Sequence, residues 1–437
     1  MKNLKLVKDN SDEGISLSGG QKMIWIRKNH STVILFTLLI LLGAISGCTK
    51  KNDLASSGLT PQQRDMQKSL LSGTQPMAIG DYEQVNLVAN IAGLGASRID
   101  TNLGNPWGIA FGPTGAAWIS ANHKGLSVIY DENGNQLRAP VDIPLNGVQF
   151  GSSPDGVVYN STMGFVIPST GERSKFIYST EDGIIAAWSS GNSTVTVADR
   201  SATGAVYKGL TMAKMGGADF LYVTNFSNSA IDVFDASFNY IKMAFADPAI
   251  PAGFAPFNIK NIDGRLYVTY AKQKPDRHDD QAGPGNGFID IFNTDGSFVS
   301  RFASQGTLNS PWGIAESEMD GHAENIYVGN FGDGRINIFD ARGNFKGQAG
   351  DEKRPITISG LWALEFSLIS ATAVNRSGRL YFTAGPDDET NGLFGYLNSR
   401  APIPVGTPTP ISTGTPTPVP LGNPIPAGSL GRPVAIR

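Results

Sequence analysis

The chain has 437 residues, of which 17% are charged, and its formal net charge is −3. Because phosphate binding needs clustered Lys and Arg, and the sequence has no basic run, nucleic acid is excluded as a partner. The single cysteine excludes an intramolecular disulfide, and 52 glycines beside short Val, Ile, Phe and Tyr runs predict many strands joined by tight turns.

The N-terminal region carries the pattern of an export signal. Residues 33–45, VILFTLLILLGAI, are apolar and follow Arg27 and Lys28. This stretch is shorter than the roughly 20 residues of a membrane span, which favours a signal peptide over residues 1–47. It ends in Ile45-Ser46-Gly47-Cys48, which resembles the lipobox of bacterial lipoproteins. That resemblance implies cleavage before Cys48 and lipidation of its thiol, and the alternative is an uncleaved transmembrane anchor with an incidental cysteine.

The segments around the signal refine this prediction. Residues 1–22 form a long polar leader, so we expect Met23 to be the true start. Residues 48–81 are polar and predict a flexible tether behind the lipidated cysteine. By the same resemblance, Thr49 implies the outer membrane if the host has one, since Asp at that position would favour retention in the inner membrane.

A repeat of three strand types occupies residues 82–398. The middle type alternates an aromatic or aliphatic residue with small ones, and a second type follows it after a polar loop. The middle type is found at 117–120, 176–179, 221–224, 266–269, 326–329 and 380–383, and the following type at 126–131, 184–189, 231–235, 289–293, 336–340 and 392–397. The preceding type is found at 106–112, 155–160, 208–213, 256–261, 311–316 and 361–366.

Six such units predict an all-β fold, a six-bladed β-propeller of four-stranded antiparallel blades. The last unit lacks a fourth strand, and residues 85–91, VNLVANI, have no partner of their own. We therefore expect this segment to complete the last blade and close the ring. Turns such as DENGN at 131–135 resemble calcium-loop fragments, but their recurrence favours structural hairpin turns. Residues 399–437 are rich in Pro, Thr and Gly and predict a disordered tail.

The repeats resemble NHL-type and TolB-like six-bladed propellers. Longer motifs resemble an uncharacterised family of exported bacterial propellers, and they lie at 102–115, 252–292, 308–315, 329–340, 360–366 and 382–395. This resemblance implies the fold and brings no activity with it. In NHL-type propellers, ligands bind on the face formed by the loops between the second and third strands, the B–C loops.

The B–C loops of this chain are polar and supply the candidate ligand-binding residues. These are Asn122, His123, Glu181, Asp182, Asn225, Arg277, His278, Asp279, Asp280, Asn330, Asp333, Asp387 and Asp388. The loop of the fourth unit, residues 271–287, is the longest, and its glycines permit tight turns. It is either a metal or substrate site or a solvated loop.

The metal that such a face could hold is constrained by its residues. Related NHL-type lyases use zinc held by several histidines, whereas His123 and His278 belong to opposite blades and His322 precedes a second strand, on the other face. A three-histidine zinc site is therefore disfavoured. An oxygen site for Ca²⁺, with Asp279 and Asp280 as the first candidates, fits the composition better.

Two functional classes remain open from the sequence. The preferred one is a monomeric, lipid-anchored binding module outside the cytoplasm, presenting the B–C face to a protein, glycan or small molecule. The alternative is a metal-assisted lyase or lactone hydrolase that uses the same face, although no nucleophile motif is visible. Trp107, Trp312 and Trp362 begin first strands near the axis, where they either stack on a ligand or, as we expect, plug the channel.

Overall fold

Strands, mostly antiparallel, form the main secondary structure of the part of the chain that the computed structural model describes, which is residues 77–145, 151–319, 322–351, 354–366 and 379–399. The first thirteen strands are β1 Ala78–Ile79, β2 Tyr82–Ala89, β3 Arg98–Ile99, β4 Pro106–Phe111, β5 Ala117–Ala121, β6 Leu126–Tyr130, β7 Val141–Asp142, β8 Pro154–Tyr159, β9 Phe176–Thr180, β10 Ile184–Trp188, β11 Val195–Asp199, β12 Tyr207–Met215 and β13 Ala218–Asn225. The others are β14 Ala230–Asp235, β15 Tyr240–Ile241, β16 Phe254–Ile262, β17 Arg265–Lys272, β18 Gly287–Asn293, β19 Phe298–Ser304, β20 Pro311–Met319, β21 His322–Asn330, β22 Ile336–Asp340, β23 Phe345–Ala349, β24 Leu361–Phe366, β25 Leu380–Ala384 and β26 Leu393–Ser399. Short 3₁₀ turns lie at Asn122–Lys124 and Ser201–Thr203.

These strands form six blades, which confirms the predicted propeller. With strands labelled A to D outward from the axis, the blades are β4 to β7, β8 to β11, β12 to β15, β16 to β19, β20 to β23, and β24-β25-β26-β2. Blade five carries β1 on its outer edge, and blade six carries β3. Because the strands of a blade run antiparallel, the B–C loops lie on one face of the disc and the A–B turns on the other.

Six apolar layers fill the spaces between neighbouring blades. The layer between blades one and two holds Trp118, Phe176 and Trp188, with ring centroids 4.1 and 4.5 Å from Trp118. Equivalent layers lie at the other blade contacts, and the layer between blades six and one extends into the centre of the ring. Each fully buried large apolar side chain stabilises the fold by about 1.5–3 kcal/mol, so the ring is stabilised by blade-to-blade burial.

The ring closes through β2, as the sequence predicts. β2 pairs antiparallel with β26, with Val88 opposite Phe394 and Ala89 opposite Leu393. Val88 and Ala89 are fully buried, and the Asn90 amide donates to the Gly392 carbonyl at 3.1 Å. An N-terminal strand therefore holds the C-terminal blade in place.

Turns between strands C and D are hairpins held by an aspartate, as expected. Asp131 accepts bonds from the amides of Asn133 and Asn135 at 2.9 and 2.8 Å, and Asp235 and Asp340 do the same in their own turns. These carboxylates are therefore occupied by their own turns.

Several predictions concern residues outside the described part of the chain. The signal peptide, the tether, Cys48 and the proline-rich tail lie there, apart from the few residues next to the first and last strands. Among the residues that are described, no helix has the length and hydropathy to cross a membrane.

Candidate functional site

A β-bulge near the start of strand A recurs in every blade. The register shifts begin at Pro106, Pro154, Tyr207, Pro256, Pro311 and Leu361. A bulge leaves an unpaired residue and redirects its side chain. The residue at the bulge is Trp107, Asp155, Lys208, Phe257, Trp312 or Trp362, in blade order, and these six side chains form a ring at the channel.

Hydroxyl groups at the end of strand B satisfy the amides that the bulge releases. Thr224 accepts from the Gly209 amide at 2.9 Å, and Thr383 accepts from the Ala363 amide at 3.0 Å. In blade two, the Asp155 carboxylate takes this role and accepts from the Gly156 amide at 2.5 Å. The bulges are therefore built into the repeat.

Aromatic rings plug the channel at the level of this ring. Trp362 stacks on Trp107 at 3.6 Å on one side and on Phe331 at 4.0 Å on the other, while Trp312 meets Trp362 edge-on at 5.8 Å. The indole of Trp362 donates to the Asn105 side chain at 3.1 Å. Since both faces of Trp362 are covered, these tryptophans fill the channel, as expected for the plug.

The two charged members of the ring, Asp155 and Lys208, were missed in the sequence analysis. Both are buried, with exposed fractions of 0% and 1%. Burial raises the pKa of Asp155 well above its usual range, partly offset by the hydrogen bond from the Ser179 hydroxyl. Aligning the six strand A segments on the bulge would have found both, because tryptophan or phenylalanine occupies that position in the other blades.

The Lys208 ammonium lies at the centre of a cluster of side chains from several blades. It contacts the Glu181 carboxylate of blade two, lies 3.6 Å from Asp279 Oδ1 of blade four, and sits 4.9 Å from the ring centroid of Trp107. Burial opposes its charge, but Glu181 and then Asp279 more than compensate, so the pKa of Lys208 is raised. Asn122 donates to the other Glu181 oxygen at 3.0 Å. The Lys208 ammonium is therefore paired with the Glu181 and Asp279 carboxylates.

The long B–C loop of blade four brings Asp279 and His278 to this cluster. His278 Nδ1 lies 2.9 Å from Asp279 Oδ1, and that bond holds the pKa of Asp279 well below its usual range and raises the pKa of His278. Two other predicted residues of this loop, Asp280 and Arg277, lie in different surroundings. Asp280 is buried, which raises the pKa of its carboxyl, and Arg277 reaches Ser229 on blade three at 3.1 Å.

Two further carboxylates stand around the cluster. Asp182 accepts from the Ser153 amide at 2.8 Å, and Glu389 accepts from Asn105 at 2.7 Å. The pKa of each is raised, first by burial and also by the negative charge of Glu181. The mouth therefore gathers the carboxyl groups of Glu181, Asp279, Asp182 and Glu389 around Lys208, with Lys274 also paired to Asp279 at 3.7 Å.

Glu389 lies at the end of a turn with unusual backbone geometry. Asp387, Asp388 and Glu389 all have positive φ angles, of 57°, 51° and 65°. This left-handed region costs about 1–2 kcal/mol per residue for side chains other than glycine. Such local strain is a mark of functional sites. Asp387 itself binds Asn391 at 2.8 Å and Asp388 is exposed, so the turn brings only Glu389 to the mouth.

The two histidines from opposite blades both lie close enough to Glu181 to respond to its charge. His123 lies 3.3 Å from the Asn105 side chain, and burial lowers its pKa while the charge of Glu181 raises it. The charge of the same Glu181 carboxylate also raises the pKa of His278. His322 begins strand B of blade five, at the opposite end of the disc.

The remaining candidates, Asn225, Asn330 and Asp333, form hydrogen bonds within their own blades. Asn225 is buried and donates to Asp232 at 3.2 Å. Asn330 donates to the Thr307 carbonyl at 2.7 Å and to Asp333 at 3.0 Å. These amides hold local loops together, so the B–C loops do not form a continuous ring of ligand-binding amides.

One group of described residues has the geometry of a metal site. Glu181, His278 and Asp279 each offer a ligand atom, and these atoms all lie within 4.8 Å of one another. Lys208, however, contacts two of the three residues. Its ammonium already occupies carboxylate oxygens that a metal ion would need.

Stability should depend on pH through the Asp279–His278 pair. The contribution of Asp279 is present above its ordinary pKa of 3.8 and is lost as pH falls through its lower folded value; that of His278 is present below 6.5 and is lost as pH rises through its higher folded value. Thermal unfolding of the Asp279→Asn variant should therefore differ most from wild type between these two values. Asp388→Asn, an exposed change, is the control, and a difference that does not vary with pH contradicts the pairing.

Comparison with known proteins gives relatives in sequence and in fold. No protein-family model matches the chain. An uncharacterised protein of Acanthamoeba polyphaga mimivirus is 35% identical over 338 residues, covering 72% of this chain and 85% of that protein. A second from the same virus is 34% identical over 321 residues, covering 69% of this chain and 76% of that protein. These relatives are viral, so membership of an exported bacterial family stays a prediction.

Among solved structures, a streptogramin B lyase is 13% identical, with a TM-score of 0.44, over 73% of this chain and 97% of that one. At this identity and TM-score, the likeness carries no conclusion about chemistry.

Proposed function

This chain belongs to the same family as the two mimivirus proteins, and from that premise we propose that it is a binding module. Its ligand is held at the channel mouth on the B–C loop face, around Lys208, without being transformed. The ligand is a small molecule or an exposed group of a larger one that carries a positively charged amine.

The observation that carries this proposal is the presence of two ionisable side chains, Lys208 and Asp155, in a ring that is otherwise aromatic. Removing an ammonium and carboxylates from water costs more than packing hydrophobic side chains of similar volume. Phe257 and the ring tryptophans occupy the same position in other blades, so packing alone does not require Lys208 or Asp155. Perturbed titratable groups gathered in a cleft are candidates for function.

The charge of the mouth supports a cationic ligand. The pKa values of Asp182 and Glu389 are raised first by burial and then by the negative charge of Glu181, so Glu181 repels both. Asp279 adds a further carboxylate that is half exposed. A bound amine would relieve this repulsion and could donate to the exposed carboxylate oxygens. Lys208, being buried, fixes Glu181 and Asp279 in place.

A metal-assisted lyase or hydrolase is the second candidate, and the Glu181, His278 and Asp279 group favours it. Ca²⁺ would suit the carboxylate oxygens, and Asp280 lies in the same loop. Lys208 already pairs with Glu181 and Asp279, two of the three side chains that such a metal would need. We therefore place metal chemistry second.

Thermal unfolding of the full chain with added spermidine separates the two candidates. At saturating spermidine the midpoint should rise by about 2 °C or more. The Asp279→Asn variant should lose this rise because it removes an exposed carboxylate at the mouth. Asp295→Asn, which removes an exposed carboxylate in the C–D turn of blade four, is the matched control and should keep it.

The competing results are distinct. A rise with Ca²⁺ or Zn²⁺, a stoichiometric ion in purified protein, and loss of both in Asp279→Ala and Asp280→Ala would favour the metal enzyme. No rise with any of these ligands would contradict a cationic site at the mouth. Recovery of chemically altered ligand would contradict a role limited to binding.

We further propose that Cys48 carries a lipid that holds the propeller at a membrane outside the cytoplasm, with residues 49–81 as the tether. The apolar run and the lipobox-like sequence before Cys48 support this. Radiolabelled palmitate should enter the wild-type chain in a bacterial host and not the Cys48→Ser variant. Equal labelling of both would contradict the anchor.

A further inference from the structure

A second cavity opens on the opposite face of the disc, where the A–B turns lie. Its volume is about 590 Å³, within the range of small-molecule sites. The walls come from the ends of the A strands and include Ile109, Phe111, Val157 and Met212. A smaller void of about 70 Å³, lined by Trp312, shares Ile109 and Val157 with it. The cavity therefore narrows inward toward the tryptophan plug.

The wall mixes apolar and polar side chains and contains two ion pairs, Lys214 with Asp219 and Lys260 with Glu365; only the second also lines the inner void. Three residues after the ring position, the A strands carry Ala110, Val158, Thr211, Lys260, Ala315 and Glu365, in blade order. Lys260 Nζ lies 2.5 Å from Glu365 Oε2, although blade five stands between their blades. Each side chain keeps roughly a third of its surface exposed, 31% for Lys260 and 27% for Glu365, so both can bind a ligand from the cavity.

From this arrangement we infer a second binding site, for a free amino acid with an apolar side chain. The carboxylate of the ligand binds the Lys260 ammonium, its ammonium binds the Glu365 carboxylate, and its side chain packs against Ile109, Phe111 and Val157. Such a ligand adds two charge-assisted bonds to the existing pair and leaves the net charge of the cavity unchanged. A simple anion or cation would leave one protein charge without a new partner.

The site is independent of the mouth. The plug of Trp107, Trp312 and Trp362 separates the cavity from Lys208. Binding here therefore does not depend on the function proposed for the B–C face.

Isothermal titration calorimetry of the full chain with L-phenylalanine tests this inference. We expect saturable binding with Kd below about 1 mM. L-Phenylalaninamide, which lacks the carboxylate, and 3-phenylpropanoate, which lacks the amine, should each bind at least about tenfold more weakly, because each loses one charge-assisted bond.

Substitutions in and outside the cavity test where phenylalanine binds. Glu365→Gln should weaken phenylalanine binding at least about tenfold, since it removes the partner of the ligand ammonium. Val158→Phe narrows the cavity without removing either charge and should weaken binding at an unchanged unfolding temperature. Glu172→Gln, an exposed change outside the cavity lining, and Asp279→Asn at the mouth should leave binding unaltered.

Three outcomes overturn the inference. They are no saturable binding of phenylalanine, equal affinity for the amide, and unchanged affinity in Glu365→Gln. Binding lost in Asp279→Asn but kept in Glu365→Gln would move the ligand to the mouth and would also overturn it.

Discussion

Deletion of residues 82–92 should abolish the cooperative unfolding transition of the full chain. Blade six would lose strand β2 and expose the edge of β26. An open ring leaves one blade without a covered face, and a single meander cannot bury both of its sides. Differential scanning calorimetry should then show a broad transition of low enthalpy.

A pair of point variants on the same strand keeps this test specific. Val88→Asp places a charge at a fully buried position opposite Phe394 and should cost about 3–5 kcal/mol. Gln84→Ala changes an exposed residue of β2 and should cost less than about 0.5 kcal/mol. A deletion variant with an intact cooperative melt would contradict closure by β2.

Replacing Trp362 by alanine should have the largest effect of any single truncation in the channel. Its ring stacks between Trp107 and Phe331, and only 1% of the residue is exposed. Truncation would leave a cavity at the axis and remove the indole that donates to Asn105 Oδ1. The expected cost is about 3–5 kcal/mol in the free energy of unfolding.

Chemical denaturation of Trp362→Ala measures this cost. Phe298→Ala, at an aromatic position that is 41% exposed on strand D of blade four, is the control and should change stability by about 0.5 kcal/mol. If both variants lose similar stability, the tryptophans do not act as the plug that holds the strands at the axis.

The repeat and its closure were predictable because the signal recurs. Strands A, B and C of each blade stand at the predicted positions, since six copies of an alternating pattern outweigh errors in any one copy. The pairing of residues 85–91 with the last blade was predictable because that blade lacked a fourth strand and this segment had no other partner. The short outer strands, such as Val141–Asp142, carried no pattern of their own.

The site was less predictable, for a physical reason. Loop residues such as Glu181, His278 and Asp279 were found because polar loops on one face are the usual place for a site. Lys208 and Asp155 were missed because they lie inside an apolar strand, and only the bulge turns them into the channel. Asn225 and Asn330 resembled ligand-binding amides, but they satisfy their own loops. The cavity on the other face depends on the space between strands, which no sequence motif records.

The most direct measurement of the central claim, a cationic ligand at the mouth, is the imidazole proton–carbon spectrum of histidine-labelled protein during a spermidine titration. His123 and His278 lie at the mouth, while His322 begins a strand at the opposite end of the disc. The signals of His123 and His278 should shift and saturate together, while that of His322 stays fixed. No saturable shift at His123 and His278, or a shift at His322 alone, would contradict the claim.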